Sequence, residues 1–329
     1  MNFPPVISLS SADRRFIIFG DIHRGDGTGA DDFAKNSLTF KIALGYYRRK
    51  GFTCVELGDA EELWENAGFD QIYITHTSIY DELRAFHDPD PAKTRYIKLW
   101  GNHDLDWQDR PAPLGRIFPG IRVYEAALLD GHLLLLHGHQ ADPSCRSWGA
   151  RISRFFVRHC WTRLQRVGFL DPTRAANNPG LSNRIDETLF GWATTGGGAI
   201  AEALGIENGA VDTIIAGHTH RPVFENLSLT ERRLLEQDIG TEEIREKLRP
   251  DRAYYNVGSC VHPRAITGLE IVREGTDLRV SLIRWGYEAR MEARNPEEES
   301  SGGQAGDDSF PLAIRRSVLE EGILPGKQE

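Results

Sequence analysis

The sequence predicts an α/β protein whose strands feed one polar rim. Three observations carry that expectation. Short apolar runs alternate with stretches of helical periodicity along the N-terminal third. Five such runs along the chain lead into a stretch that carries Asp, Asn or His. Strand–helix–strand alternation also favours parallel pairing with helices outside, and ligands in such sheets gather beyond the carboxyl ends of the strands.

The first strand is Arg15 to Gly20, where Phe16-Ile17-Ile18-Phe19 runs into Gly20-Asp21-Ile22-His23. In an extended chain end an Asp and a His two apart point the same way, because side chains alternate with period two. After the Gly-rich, acidic turn Gly25 to Asp32, residues Phe33 to Lys50 carry helical periodicity, with Phe33, Leu38, Ile42, Leu44 and Tyr46 on one broad face. Arg48-Arg49-Lys50 and then Gly51 suit a helix C-terminus. The strand Thr53 to Leu57 leads to Asp59, and a long helical region follows from about Glu61 to Phe86. The strand Arg95 to Trp100 leads to Gly101-Asn102-His103-Asp104.

Val123 to Leu129 and His132 to Leu136 read as a hairpin through Asp130-Gly131, a strong turn dipeptide, and its second strand delivers His137. Ala141 to about Gly209 is helical and irregular. The strand Thr213 to Ala216 delivers His218 and His220, and Tyr254 to Val257, Gly268 to Val272 and Leu278 to Trp285 close the domain as strands. The domain therefore spans 1–290, with a helical, Arg-rich insertion at 141–210 and a charged surface insertion at 225–250. Residues 291–329 form a flexible linker and tail. Glu, Ser, Gly and Asp dominate Glu292 to Ser309, a composition that favours disorder, and a short helix is expected over Leu312 to Glu321.

Composition narrows the class. The 329 residues are 40% hydrophobic, enough for one large domain with insertions. A net charge of -9 argues against a general electrostatic trap for nucleic acid. Cys54, Cys145, Cys160 and Cys260 show no CxxC spacing, which argues against a thiolate zinc site and a disulfide scaffold. Met1 to Asp13 carries no signal-peptide pattern, and no apolar run is long enough to span a bilayer. The expected location is cytoplasmic.

Each donor alone is weak evidence, since an Asp at a strand end is usually a cap and a buried His is usually a satisfied core residue. Together, Asp21, His23, Asp59, Asn102, His137, His218 and His220 sit at the ends of five expected strands. Carboxylate, amide and imidazole without thiolate favour Mn, Fe, Zn or Co. The set is too large for one ion and suits two ions sharing a carboxylate. Two metals about 3.5–4 Å apart can clamp a phosphoryl group and activate a bridging hydroxide.

Asp21-Ile22-His23, Gly58-Asp59-Ala60-Glu61-Glu62, Gly101-Asn102-His103-Asp104, His137 and Gly217-His218-Thr219-His220 resemble the motif series of the calcineurin-like metallophosphoesterases. The resemblance covers roughly residues 15 to 285. It implies a four-layer α/β/β/α sandwich of two mixed sheets flanked by helices; the Arg-rich insertion is expected as a helical lid on one of the readings given below. It assigns Asp21, His23, Asp59 and His220 to one ion, and Asp59, Asn102, His137 and His218 to the other, with Mn2+ the first choice of metal. It makes His103 the residue that assists the leaving group, with Asp104 orienting it. The alternative for His103 is support of Asn102. An oriented His near its ordinary pKa of about 6.5 can protonate a leaving alkoxide at neutral pH.

The substrate is less legible. Ser144 to Leu170 holds Arg146, Arg151, Arg154, Arg158, Arg163 and Arg166 and no acidic residue, with apolar residues at helical spacing. Three readings compete: a lid that clamps phosphates through Arg151, Arg154 and Arg158, a helix lying on an anionic membrane face, and a helix packed on the core with a solvated basic flank. Arg24 either reaches a phosphate or forms a surface salt bridge. The Glu61-Glu62-Leu63-Trp64 context and the insertion are also similar to the UDP-2,3-diacylglucosamine pyrophosphohydrolase branch. That branch typically has Arg where His103 stands, and Gly-Asp where Gly138-His139 stands. The partner expected is thus a small phosphorylated substrate, nucleotide- or lipid-linked, with peripheral contact at the inner membrane face through the Arg-rich helix and no nucleic acid. A non-catalytic scaffold of the same fold is the contrasting reading, and the complete donor set argues against it. Asn256-Val257-Gly258-Ser259 reads as a tight turn, and His139 as a polar group in the cleft rather than a ligand.

Overall fold

The apolar strands sort into two sheets. A computed structural model of the chain describes residues 5–29, 31–66, 68–145, 178–224, 253–262, 264–288 and 313–324. The strands are β1 (Val6–Leu9), β2 (Arg15–Phe19), β3 (Phe52–Leu57), β4 (Tyr96–Leu99), β5 (Val123–Tyr124), β6 (Ala126–Leu129), β7 (Leu133–Leu136), β8 (Thr213–Ala216), β9 (Pro222–Val223), β10 (Ala253–Val257), β11 (Ala265–Glu274), β12 (Asp277–Glu288) and β13 (Ala313–Leu324). One sheet runs β1-β6-β7-β8-β10-β9 and the other β13-β12-β11-β2-β3-β4-β5. Both are mixed. β2, β3, β4 and β5 pair in parallel, as do β7, β8 and β10 and, at one edge, β1 with β6, while β6–β7, β9–β10, β2–β11, β11–β12 and β12–β13 pair antiparallel.

Alternation along the strands builds three apolar layers. Phe16 and Ile18 of β2 face inward with Leu133 and Leu135 of β7 and Ile215 of β8, so this layer lies between the sheets. Ile17 and Phe19 face the other way, onto helix α1 (Ser37–Arg49) and the helices α2 (Phe69–Thr75) and α3 (Thr77–Arg84). Two single-turn helices, α4 (Asp106–Asp109) and α5 (Ala112–Gly115), follow β4. Leu134, Leu136, Ile214 and Ala216 pack against α6 (Pro179–Thr194) and α7 (Gly198–Leu204). Each such buried Leu, Ile or Phe contributes about 1.5–3 kcal/mol of transfer free energy. The result is the expected α/β/β/α sandwich.

Several local expectations are corrected. The buried face of α1 is Phe40, Ala43, Leu44 and Tyr47, a true i, i+3, i+4, i+7 stripe. Leu38 and Ile42 lie on the solvent side. The helix expected from Glu61 begins only at Phe69, because Glu61 pairs with Arg24 in a short parallel bridge and turns its carboxylate inward. The segment Val123 to Leu129 divides at Glu125, with β5 joining one sheet and β6 the other. The hairpin turn stands as read, with both Asp130 and Gly131 at positive φ.

The helix expected over Leu312 to Glu321 is instead strand β13, which pairs along the whole of β12. Pairing overrides helical propensity here. A register shift opposite Leu282 and Ile283 leaves Leu319 as the extra residue of a bulge. Arg316 Nε, 2.6 Å from Glu270 Oε1, ties β13 across the sheet. The sheet thus continues past residue 290 into the segment expected as tail.

The stretch 146–177 of the Arg-rich insertion, including Arg151, Arg154 and Arg158, lies outside the described residues, as does the insertion 225–250. Among the described residues no helix is long and apolar enough to cross a membrane.

Candidate metal centre

The donors converge where β2, β3, β4, β7 and β8 end. They do so through bent backbone rather than extended strand ends. Asp21, His23, Asp59, His218 and His220 all have positive φ, between 48° and 70°. A non-glycine residue there is uncommon, and clusters of such strain belong to sites held by their surroundings. The expected period-two alignment of Asp21 and His23 is therefore corrected. β2 ends at Phe19, and the Asp-x-His loop is fixed by backbone bonds instead. Ile22 N–H and His23 N–H both donate to Asp59 O, at 3.0 and 2.9 Å, and Arg24 N–H donates to Ala60 O at 3.0 Å.

Two glycines are required by close approach. A Cβ on Gly101 would strike the Asp59 carboxylate and the His137 ring, and one on Gly217 would strike the Asp21 carboxylate. These are the glycines of the Gly-Asn-His and Gly-His-x-His stretches.

Four overlapping donor groups emerge among the described residues, two of them, His23–Asp59–His103 and Asp142–Cys145–His218, sharing members with the two that hold the expected donors. Asp21, His23 and His220 bring three ligand atoms together, and so do Asp59, His137 and His218. His220 Nε2 lies 3.2 Å from Asp21 Oδ1 and 3.2 Å from His23 Nε2. His137 Nε2 lies 3.1 Å from Asp59 Oδ2 and 3.2 Å from Asn102 Oδ1. All the seven expected donors are buried or nearly so.

The donor chemistry fits a cation. His23 Nδ1 is held on Glu62 Oε2 at 2.8 Å, so Nε2 presents its lone pair toward His220. His137 Nδ1 is 3.2 Å from Leu57 O, so its Nε2 faces two oxygen acceptors with a lone pair. Acceptors gathered on one another need positive charge between them, a proton or a metal. Asp21 Oδ1 is buried, with His220 Nε2 3.2 Å away in poor hydrogen-bond geometry. Burial disfavours a charged His137, yet Asp59 opposite raises its pKa to about 9. Burial likewise opposes the Asp59 carboxylate, but His137 and His103 hold it well below the usual range.

Glu62 is the residue whose role sequence reasoning missed. Its Oε1 takes His103 Nδ1 at 2.8 Å while Oε2 takes His23 Nδ1 at 2.8 Å. His103 also stacks on Trp64, with ring centroids 4.4 Å apart. Asp104, expected to orient His103, does something else. Its oxygens accept the backbone N–H groups of Gly101 at 2.7 Å and Ala60 at 2.9 Å, bracing the loop that carries Asp59. Burial above all pushes its carboxyl up to about 6. The signal was in the sequence: Glu62 closes the Gly58-Asp59-Ala60-Glu61-Glu62 motif at the position where the family carries an acid, three residues after Asp59, but the motif alone assigns it no role.

Arg24 is corrected as well. It is fully buried beneath the centre, with Nη1 2.6 Å from Glu56 Oε1 and Nη2 2.5 Å from Glu61 Oε1. Lys98 completes the cluster at 2.8 Å from both carboxylates. An arginine so enclosed reaches no phosphate. Glu56 and Lys98 each interrupt an apolar strand, and that was the available signal: a charge inside a buried strand requires a partner.

The polar surround extends to the far side. His218 Nε2 lies 2.9 Å from Asp142 Oδ2. His139 stands beside His137 and Trp100, ring centroids 5.4 and 5.2 Å away. Asn256 holds Gly217 O at 2.7 Å and Ser259 Oγ holds Asp21 O at 3.0 Å, so the Asn-Val-Gly-Ser turn acts structurally, as read.

A calcineurin-like phosphoesterase family model matches residues 14–222, and the chain belongs to that family. No curated protein matches it in sequence. Similar solved structures include Chaetomium thermophilum Vps29, 11% identical with a TM-score of 0.39, over 96% of this chain and 98% of that one. Wild-type Vps29 complexed with Zn2+ from Entamoeba histolytica is also 11% identical, with a TM-score of 0.34, over 93% of this chain and 99% of that one.

Proposed function

We propose that this chain is a phosphoesterase that works with two divalent ions, Mn2+ first among them. Asp21, His23, Asp59 and His220 would hold one ion, and Asp59, Asn102, His137 and His218 the other. The observation that carries the reading is the position of Asp59. Its Oδ2 stands 3.1 Å from His137 Nε2 and 3.9 Å from His23 Nε2, between the two groups. When bound, such ions polarise a phosphoryl group and lower the pKa of bound water.

The chain's own residues do the rest. Glu62 holds His103 by Nδ1 and leaves Nε2 for the leaving oxygen. Trp64 fixes the ring plane. Asp104 and the buried Arg24–Glu56–Glu61–Lys98 cluster hold the loop bearing Asp59 and Glu62. The substrate is a small phosphorylated compound, an ester or a diester. The test is hydrolysis of p-nitrophenyl phosphate and bis-p-nitrophenyl phosphate before and after EDTA treatment, with Mn2+ added back. Turnover lost with EDTA and restored by Mn2+ supports the reading. No metal-dependent turnover on either ester would favour an interaction module of the same fold.

A further inference from the structure

We propose that Asp142, Cys145 and His218 form a separate site for a zinc-class cation, and that its filling inhibits the chain by drawing on a ligand of the hydrolytic centre. The inhibitory half rests on the phosphoesterase reading above; the cation site itself does not.

The sequence builds this site locally. Asp142-Pro143-Ser144-Cys145 is a turn closed by Cys145 N–H donating to Asp142 O at 3.1 Å. Proline at the second position suits such a turn, which brings its first and fourth residues together. Ser144 fixes the carboxylate: its N–H and its hydroxyl both donate to Asp142 Oδ1, each at 2.7 Å. That leaves Oδ2 aimed at His218 Nε2, 2.9 Å away. The carboxylate oxygen, the Cys145 sulfur and the imidazole nitrogen then lie within 4.8 Å of one another.

The donor set differs in kind from the inner one. Asp21, His23, Asp59, Asn102, His137 and His220 offer oxygen and imidazole nitrogen. The Asp142 turn adds a thiol, and a thiolate selects zinc, cadmium or cobalt over manganese and magnesium. His218 belongs to both groups, Asp59–His137–His218 and Asp142–Cys145–His218. A cation held at the outer group takes the single lone pair of the neutral His218 ring at Nε2, and leaves none for the inner group. Cys145 is partly exposed, so a cation can reach it, whereas Cys54 and Cys260 are buried.

The test has two readouts on the full chain. Cobalt(II) titration should give a thiolate-to-cobalt charge-transfer band that disappears in Cys145→Ala and in the near-isosteric Cys145→Ser. Manganese-loaded protein hydrolysing bis-p-nitrophenyl phosphate should be inhibited by added zinc, and both variants should need at least about tenfold more zinc for the same inhibition, about 1.4 kcal/mol. Absence of the band, or its persistence in both variants, overturns the site. A Cys145-dependent band with unchanged zinc inhibition overturns the coupling. A Cys145-dependent band in a protein with no hydrolytic activity keeps the site and removes the phosphoesterase reading.

Discussion

Glu62 Oε1 lies 2.8 Å from His103 Nδ1, and this contact, not one from Asp104, sets the orientation of the His103 ring. The same carboxylate holds His23, so one side chain orders a metal donor and the expected proton donor together. Glu62→Gln should lower kcat by about 10- to 100-fold, the usual effect of losing a carboxylate behind a ligating histidine. Asp104→Asn should act mainly on thermal stability. Steady-state kinetics beside melting curves for the two variants check this. Equal loss of kcat in both would contradict it.

Removing His103 separates metal binding from turnover. His103→Ala should keep its metal content and lose about 10²- to 10⁴-fold in kcat, the range for a positioned acid or base. Asp59→Asn should lose metal and activity together, because Asp59 stands between both donor groups. Metal analysis of purified variants, paired with kcat, distinguishes the two.

The buried charges beneath the site make a stability prediction. Arg24→Met leaves Glu56 and Glu61 with Lys98 as the remaining cation of the cluster. Breaking such a pair costs about 3–5 kcal/mol, because an uncompensated charge stays buried. Denaturant unfolding of the metal-free proteins measures it. A change below 1 kcal/mol would show that water or rearrangement supplies the missing charge.

Acid should weaken the fold through His262. Burial first, then the nearby His220, lowers its pKa to about 4. The folded state therefore prefers the neutral ring. Its contribution is fully present above the unfolded value of about 6.5 and is lost as pH falls through about 4. In metal-free protein, the Tm difference between wild type and His262→Gln should narrow or reverse across that window. A difference that is flat with pH would contradict the assignment.

Much of this molecule was legible because its site is written as short motifs at strand ends. Seven candidate donors could be picked out from pattern at strand ends, and the layer order followed from the resemblance those motifs carry. The misreadings have physical causes. Asp21 and His23 converge through positive φ, which a period-two argument cannot see. Glu61 and Glu62 are adjacent and alike in sequence, yet one serves the buried cluster and the other the imidazoles. In sequence Arg24 reads as reaching a phosphate or a surface partner because it follows the Asp-x-His motif, whereas its buried partners are Glu56 on β3 and Glu61, which Lys98 on β4 also binds. The strand β13 has a helix-prone composition, and long pairing with β12 decided its conformation.

The central claim is tested most directly by titrating metal-stripped protein with Mn2+ while following bound metal and bis-p-nitrophenyl phosphate hydrolysis in the same samples. The account predicts two ions bound per chain at saturation and turnover that appears chiefly with the second. Saturation at one ion, or turnover that persists in stripped protein, would contradict it.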